Sequence, residues 1–214
     1  MIIAIKEKDK VVIGYSNAEY WGKLSEKDYV DEENVAIKFS EDGKLFACPV
    51  MNRRSDILLY DEEFLSKEIT PKSIIREIIP CIKKKLIEND QALEEGHWKN
   101  ALVICDNDKL YDIDPLFGLY EADDYVCHGY RVETLKCVLD ETTELSAEER
   151  IMKAIIFVSE LHKESMFPII ITDTKSKKFK YIYEGEKKYE RIDSVQERRH
   201  NLYGDGYKSY CKRP

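Results

Sequence analysis

Residues 1–17 read MIIAIKEKDKVVIGYSN. Two runs of β-branched and aliphatic residues, Ile2–Ile5 and Val11–Tyr15, flank the charged stretch Lys6–Lys10. A run of five charged residues does not join a core, so it reads as the turn of an opening β-hairpin. A second pair follows, NVAIKFS at 34–40 and KLFACPV at 44–50. Asp42-Gly43 joins them, because glycine accepts the positive φ of a tight hairpin turn. Residues 18–33, between the two pairs, are polar and irregular.

The stretch RRSDILLYDEEFLSK at 53–67 repeats Ile57, Leu58, Phe64 and Leu65 at helical spacing and is expected to be one helix. A second helix is expected over 70–90, with Thr70 as N-cap and Pro71 in the first turn. Its apolar face is Ile74, Ile75, Ile78, Ile79, Ile82 and Leu86. Pro80 interrupts it at a cost of about 3 kcal/mol, which predicts a kink or two abutting segments. Residues 100–129 then read as a four-strand meander: NALVICDN, KLYDIDP, GLYEAD and DYVCHG. Two further helices follow. One carries Val132, Leu135 and Leu139; the other opens with a Ser146/Glu149 capping box and buries Ile151, Ala154, Ile155, Val158 and Leu161. The strands PIIITDT and KFKYIYE complete the pattern.

Residues 184–214 differ. Ile192, Val195 and Leu202 are their only branched aliphatics, beside Tyr189, Tyr203, Tyr207 and Tyr210. They cannot build a core of their own. The expected organisation is a domain over 1–183 and a Tyr-rich C-terminal extension over 184–214.

The chain has 214 residues, 43% hydrophobic, with a net charge of -8. That supports a real core and argues against a nucleic-acid or anionic-membrane partner, since both need clustered Lys and Arg. No apolar run is long enough to span a bilayer, and lysine follows MIIAI too soon for a signal peptide. A cytoplasmic protein is expected. Cys48, Cys81, Cys105, Cys127, Cys137 and Cys211 form no CxxC spacing, and His97, His128, His162 and His200 form no HxxxH or HxxE. Neither metal nor cofactor is expected. Asp106-Asn107-Asp108 lacks the glycine and terminal glutamate of a calcium loop and reads as a hairpin turn.

The order is four strands, two helices, four strands, two helices, two strands. Two sheets, each with a helical cover, give an α+β fold: a four-layer αββα sandwich of two antiparallel sheets. Local stretches sharpen this. IIAIKEKDKVVIGYS is similar to the opening hairpin of proteasome β-type subunits. LYDIDP resembles a hairpin of their second sheet. DYVCHGYRVETLKCVLDETTELSAEERIMKAIIFVSEL resembles their strand, Gly turn, helix, cap and next helix. The resemblance covers about residues 1–183 and implies an N-terminal-nucleophile hydrolase fold, often a ring of like subunits.

That resemblance also implies chemistry the chain does not carry. The family attacks an amide with an N-terminal Thr, Ser or Cys, its own α-amine serving as base. Here the first residue is Met1, and its removal would leave Ile2. The second-strand acid is replaced by Ser16 or Asn17. The third-strand lysine falls at Asn34 or Val35, with Lys38 out of register. Cys48-Pro49 replaces a glycine turn, His128-Gly129 a Gly-Ser turn, and only Glu164 answers a later acid. The expected protein is therefore a non-catalytic relative with a structural, regulatory or ligand-binding role in a homo-oligomer; whether a sister subunit joins it is open. The alternative is a divergent amide hydrolase in the same cleft. It would use Cys48 with His128 as base, or Ser16 unmasked by self-cleavage.

Overall fold

A computed structural model describes residues 1–16, 36–49, 53–91, 93, 96–162 and 167–183. Among these residues ten strands form two five-stranded antiparallel sheets. The first has the order β10-β9-β2-β1-β8, with β1 Ile2–Lys6, β2 Val11–Ser16, β8 Tyr125–His128, β9 Ile169–Asp173 and β10 Lys180–Ile182. The second has the order β3-β4-β5-β6-β7, with β3 Ile37–Phe39, β4 Leu45–Ala47, β5 Leu102–Asp106, β6 Lys109–Ile113 and β7 Leu119–Glu121.

Three apolar layers follow from strand alternation. Between the sheets lie Ile2, Ala4, Ile13, Tyr15, Ile37, Leu45, Ala47, Val103, Leu110 and Val126. The opposite face of the first sheet, with Ile3, Ile5, Val12, Ile169 and Ile171, is covered by α5 Val132–Asp140 and α6 Ala147–His162. The opposite face of the second, with Phe46, Leu102, Ile104 and Tyr111, is covered by α1 Arg53–Leu59, α2 Glu62–Leu65 and the helical run from α3 Pro71–Ser73 to α4 Ile79–Glu88. The αββα sandwich is thus present.

The expected helix at 53–67 is two. Asp61 is extended (φ -103°, ψ 103°), its side chain accepts from the Phe64 amide, and it pairs with Lys85. A cap satisfied by its own helix and held by α4 outweighs continuous helical propensity. Around Pro80 the chain forms a π turn over Ile74–Ile78, in which the Ile79 amide reaches back to the Ile74 carbonyl. The wider turn absorbs the proline, which has no amide and whose ring crowds the carbonyl four residues back. Burying Ile74, Ile78, Ile79, Ile82 and Leu86, at about 1.5–3 kcal/mol each, exceeds the proline's cost. Two expected core positions are exposed: Ile75 at 57% and Leu161 at 42%. Both sit at the edge of their helix's apolar stripe.

The meander also breaks. Its fourth strand, β8, leaves the second sheet and pairs with β1, Ile2 opposite His128 and Ala4 opposite Val126. Alternation predicts a strand but not its partner; the free edge of β1 takes this one. Arg150 holds the crossing turn. Its guanidinium grips Asp124 at 2.9 and 3.2 Å and donates to the Leu139 carbonyl.

At the end of the sandwich away from Met1, Thr174 pins the two sheets. Its hydroxyl accepts from the Val11 amide at 3.0 Å and donates to the Asn107 carbonyl at 2.6 Å. Thr174→Val keeps the shape and strands a buried amide. It is expected to cost about 1–3 kcal/mol, read as a lower urea midpoint at unchanged slope.

Candidate functional site

The other end of the sandwich holds Met1, Ser16, Asp112 and His128. Met1 extends β1 by one residue and forms a closed pair with Ser16. The Met1 nitrogen donates to the Ser16 carbonyl at 2.6 Å, and the Ser16 amide donates to the Met1 carbonyl at 3.0 Å. Both residues are buried. The Met1 side chain lies with Ile3 and Ile5 in the layer beneath α5 and α6. Gly129 covers it so closely that a Cβ there would stand 2.8 Å from Met1 Cα. Only glycine fits, and its φ of +110° is one that L side chains rarely adopt.

On the inner face, the alternation of β8 carries Val126 and then His128 toward the second sheet. The alternation of β6 carries Leu110 and then Asp112 toward the first. The two polar residues meet: His128 Nε2 lies 2.8 Å from Asp112 Oδ1. Their side chains are 22% and 15% exposed. A carboxylate only accepts, so Nε2 carries the hydrogen and, in the neutral ring, Nδ1 keeps the lone pair. The His128 ring has no other hydrogen-bond partner among the described residues. Beside it the chain turns through Gly129 into α5, and Gly129–Thr134 line an open cleft of about 460 Å³. Arg131 is left-handed (φ +55°), with its guanidinium 4.7 Å from the Tyr130 ring centre.

The expected site residues scatter. Cys48 is fully buried on the helix side of the second sheet with Leu58, Leu59, Phe64 and Trp98. Burial, and then the Asp56 charge, push its thiol far above the ordinary range. His128 faces the opposite side of that sheet, so the structure does not bring the two together. Ser16 is held in the Met1 ladder pair. Releasing it as a new N-terminus would remove β1, which lies between β2 and β8. Lys38 faces the helices, with its ammonium 4.3 Å from the Tyr60 ring centre. Asn17, Asn34, Val35, Glu164, His200, Cys211 and the tyrosines of 184–214 lie outside the described residues. Asp112 is the candidate-site residue that sequence reasoning missed. Its signal was a carboxylate at the inner-facing position of an otherwise alternating strand, Leu110-Tyr111-Asp112-Ile113.

A second open cleft, at the far end, is lined by Asp9, Lys10, Asp173, Lys175 and Ser176. Its charges answer one another: Lys175 pairs with Asp9, and Ser176 bonds Asp173. The mouth at Met1 and His128 is the better candidate.

No family model and no curated protein matches the sequence. Solved structures do match. A BPH protein of Thiobacillus denitrificans superposes with a TM-score of 0.61 at 17% identity, covering 81% of this chain and 97% of that one. Anbu, an ancestral β-subunit from Yersinia bercovieri, gives 0.59 at 10% identity, covering 100% and 97%. HslV from Trypanosoma brucei gives 0.52 at 14% identity, covering 80% and 97%. The chain has the proteasome β-subunit fold. At these identities the likeness is one of fold alone. Within that proteasome-like fold, the end of β1 is where the resemblance drawn from the sequence locates the nucleophile, and here it holds a buried thioether. Among the described residues no helix is long and apolar enough to cross a membrane.

Proposed function

We propose that this is a proteasome-subunit-like protein that has lost N-terminal-nucleophile chemistry and serves a structural, regulatory or ligand-binding role in a cytoplasmic homo-oligomer. The observation that carries this is the Met1–Ser16 pair. The first residue of β1 has no hydroxyl or thiol, and its nitrogen is a ladder donor rather than a base facing substrate. The fold supports assembly as well. Among the described residues both sheets are covered by helices of the same chain, so a contact with like subunits in a ring or other closed set would use the outer surface. The net charge of -8 argues against nucleic acid as a partner. Residues 184–214, rich in amphipathic tyrosine, are proposed to serve such contacts.

Native mass spectrometry tests this in one spectrum. The expected result is an intact chain beginning at Met1, in an assembly of several copies. Deletion of 186–214 is expected to lower the copy number. Epoxomicin, with which a Thiobacillus denitrificans BPH structure was solved, is expected to leave the chain's mass unchanged. A chain shortened to a new N-terminal Ser, Thr or Cys, or one carrying the inhibitor's mass, overturns the reading.

A further inference from the structure

We propose that His128, positioned by Asp112, is a general base that directs water onto an acyl group held at the mouth, giving the protein a weak hydrolase activity toward small activated esters. This goes beyond the assembly role and does not depend on it.

Three features argue for it. The neighbours of the pair on the inner face are apolar: Ile2, Val103, Leu110 and Val126. Two aliphatic side chains would suit those neighbours, and a pair that keeps contact with water is worth only about 0–1 kcal/mol. The pair is thus not explained by stability alone. Second, the ring is half used. Asp112 fixes Nε2 as the donor, and Nδ1 has no partner among the described residues. A carboxylate that orients one ring nitrogen and leaves the other as base is how an imidazole is prepared for proton transfer. Third, both side chains are partly exposed, so water can reach the ring, and the residues that follow His128, Gly129–Thr134, line an open cleft with room for a small ester.

The step balances without a further reagent. The water oxygen bonds to the acyl carbon as its proton moves to His128 Nδ1. The imidazolium formed is stabilised by the Asp112 carboxylate. The tetrahedral adduct then breaks its bond to the leaving oxygen, which takes the proton from Nδ1. The products are a carboxylic acid and an alcohol, and no covalent enzyme intermediate forms. In this scheme His128 is the catalytic residue and Asp112 a positioning residue.

The test is turnover of p-nitrophenyl acetate by the full chain. His128→Gln is expected to lower the rate above background by about 100-fold, the low end for loss of a general base. Asp112→Asn is expected to lower it about 10-fold by releasing the ring. His97→Gln and Cys48→Ala are expected to keep it. The readout a structural role would not move is rescue: free imidazole is expected to restore turnover to His128→Ala and to add nothing beyond its solution rate to His97→Ala. A rate in His128→Gln within twofold of the parent overturns the proposal. So does a folded His128→Ala, shown by an unchanged melting curve, that imidazole does not rescue. If His128→Ala unfolds, the decision passes to His128→Gln and Asp112→Asn with folding checked the same way; unchanged rates there overturn it too.

Discussion

In native protein a thiol reagent is expected to modify exposed Cys137 at once and Cys48 at least about 1000-fold more slowly than it does in the unfolded chain. Cys48 has no exposed surface and sits behind α1 and α2. Reagent reaches it only when those helices detach from the second sheet. For a domain stable by about 5–15 kcal/mol, an opening of that size is populated at roughly one part in a thousand or fewer. Ionisation acts in the same direction. The nucleophile is the thiolate, and burial disfavours the charged form, so the folded thiol stays protonated at neutral pH. The other cysteines grade the measurement. Cys105, equally buried, is expected to match Cys48. Cys127, 6% exposed with its thiol pushed up to about 11 by burial, is expected to fall between them and Cys137. Peptide mass spectrometry after timed quenching reads all four. Cys48 labelling as fast as Cys137 would restore a thiol hydrolase, because a catalytic cysteine has to be both reachable and ionised.

Much of the fold was legible because alternation and helical spacing are local signals. The opening hairpin, the Asp42-Gly43 turn (Gly43 φ +90°), the Thr70 cap and the Ser146/Glu149 capping box all appear as read. What failed was non-local. β8 reads like a meander strand, yet its partner is β1, more than a hundred residues earlier. The break at Asp61 is capped locally by its bond to the Phe64 amide, but it is also held by Lys85, which no window around 53–67 contains. The site follows the same rule. Met1 at the head of β1 was visible and pointed to lost chemistry. Cys48 and His128 were each visible as turn residues, but strand parity places them on opposite sides of a sheet. The Asp112–His128 meeting needed two strands from different sheets, and only the folded chain pairs those positions.

Gly129→Ala is expected to cost about 3–5 kcal/mol, against about 1–2 kcal/mol for Gly96→Ala. Both glycines have positive φ, +110° and +83°. Both substitutions also stiffen the unfolded chain by a similar amount, so that contribution cancels in the comparison. What differs is the space. A Cβ at position 96 meets nothing within 4 Å, whereas one at 129 stands 2.8 Å from Met1 Cα and 2.9 Å from Met1 Cβ. Backbone cannot swing aside as a flexible side chain can. Relief therefore requires β1 to shift, and the ladder bonds between Met1 and Ser16 resist that shift. Denaturant midpoints give the two losses, and hydrogen exchange at the Ser16 amide shows where the strain goes. Faster exchange at Ser16 in Gly129→Ala, and not in Gly96→Ala, places Met1 under Gly129 as the sealed end of β1. Equal losses in the two variants would mean that Met1 is not held there. The first residue would then be free to face the cleft, and the argument that its nitrogen is committed to the ladder would fail.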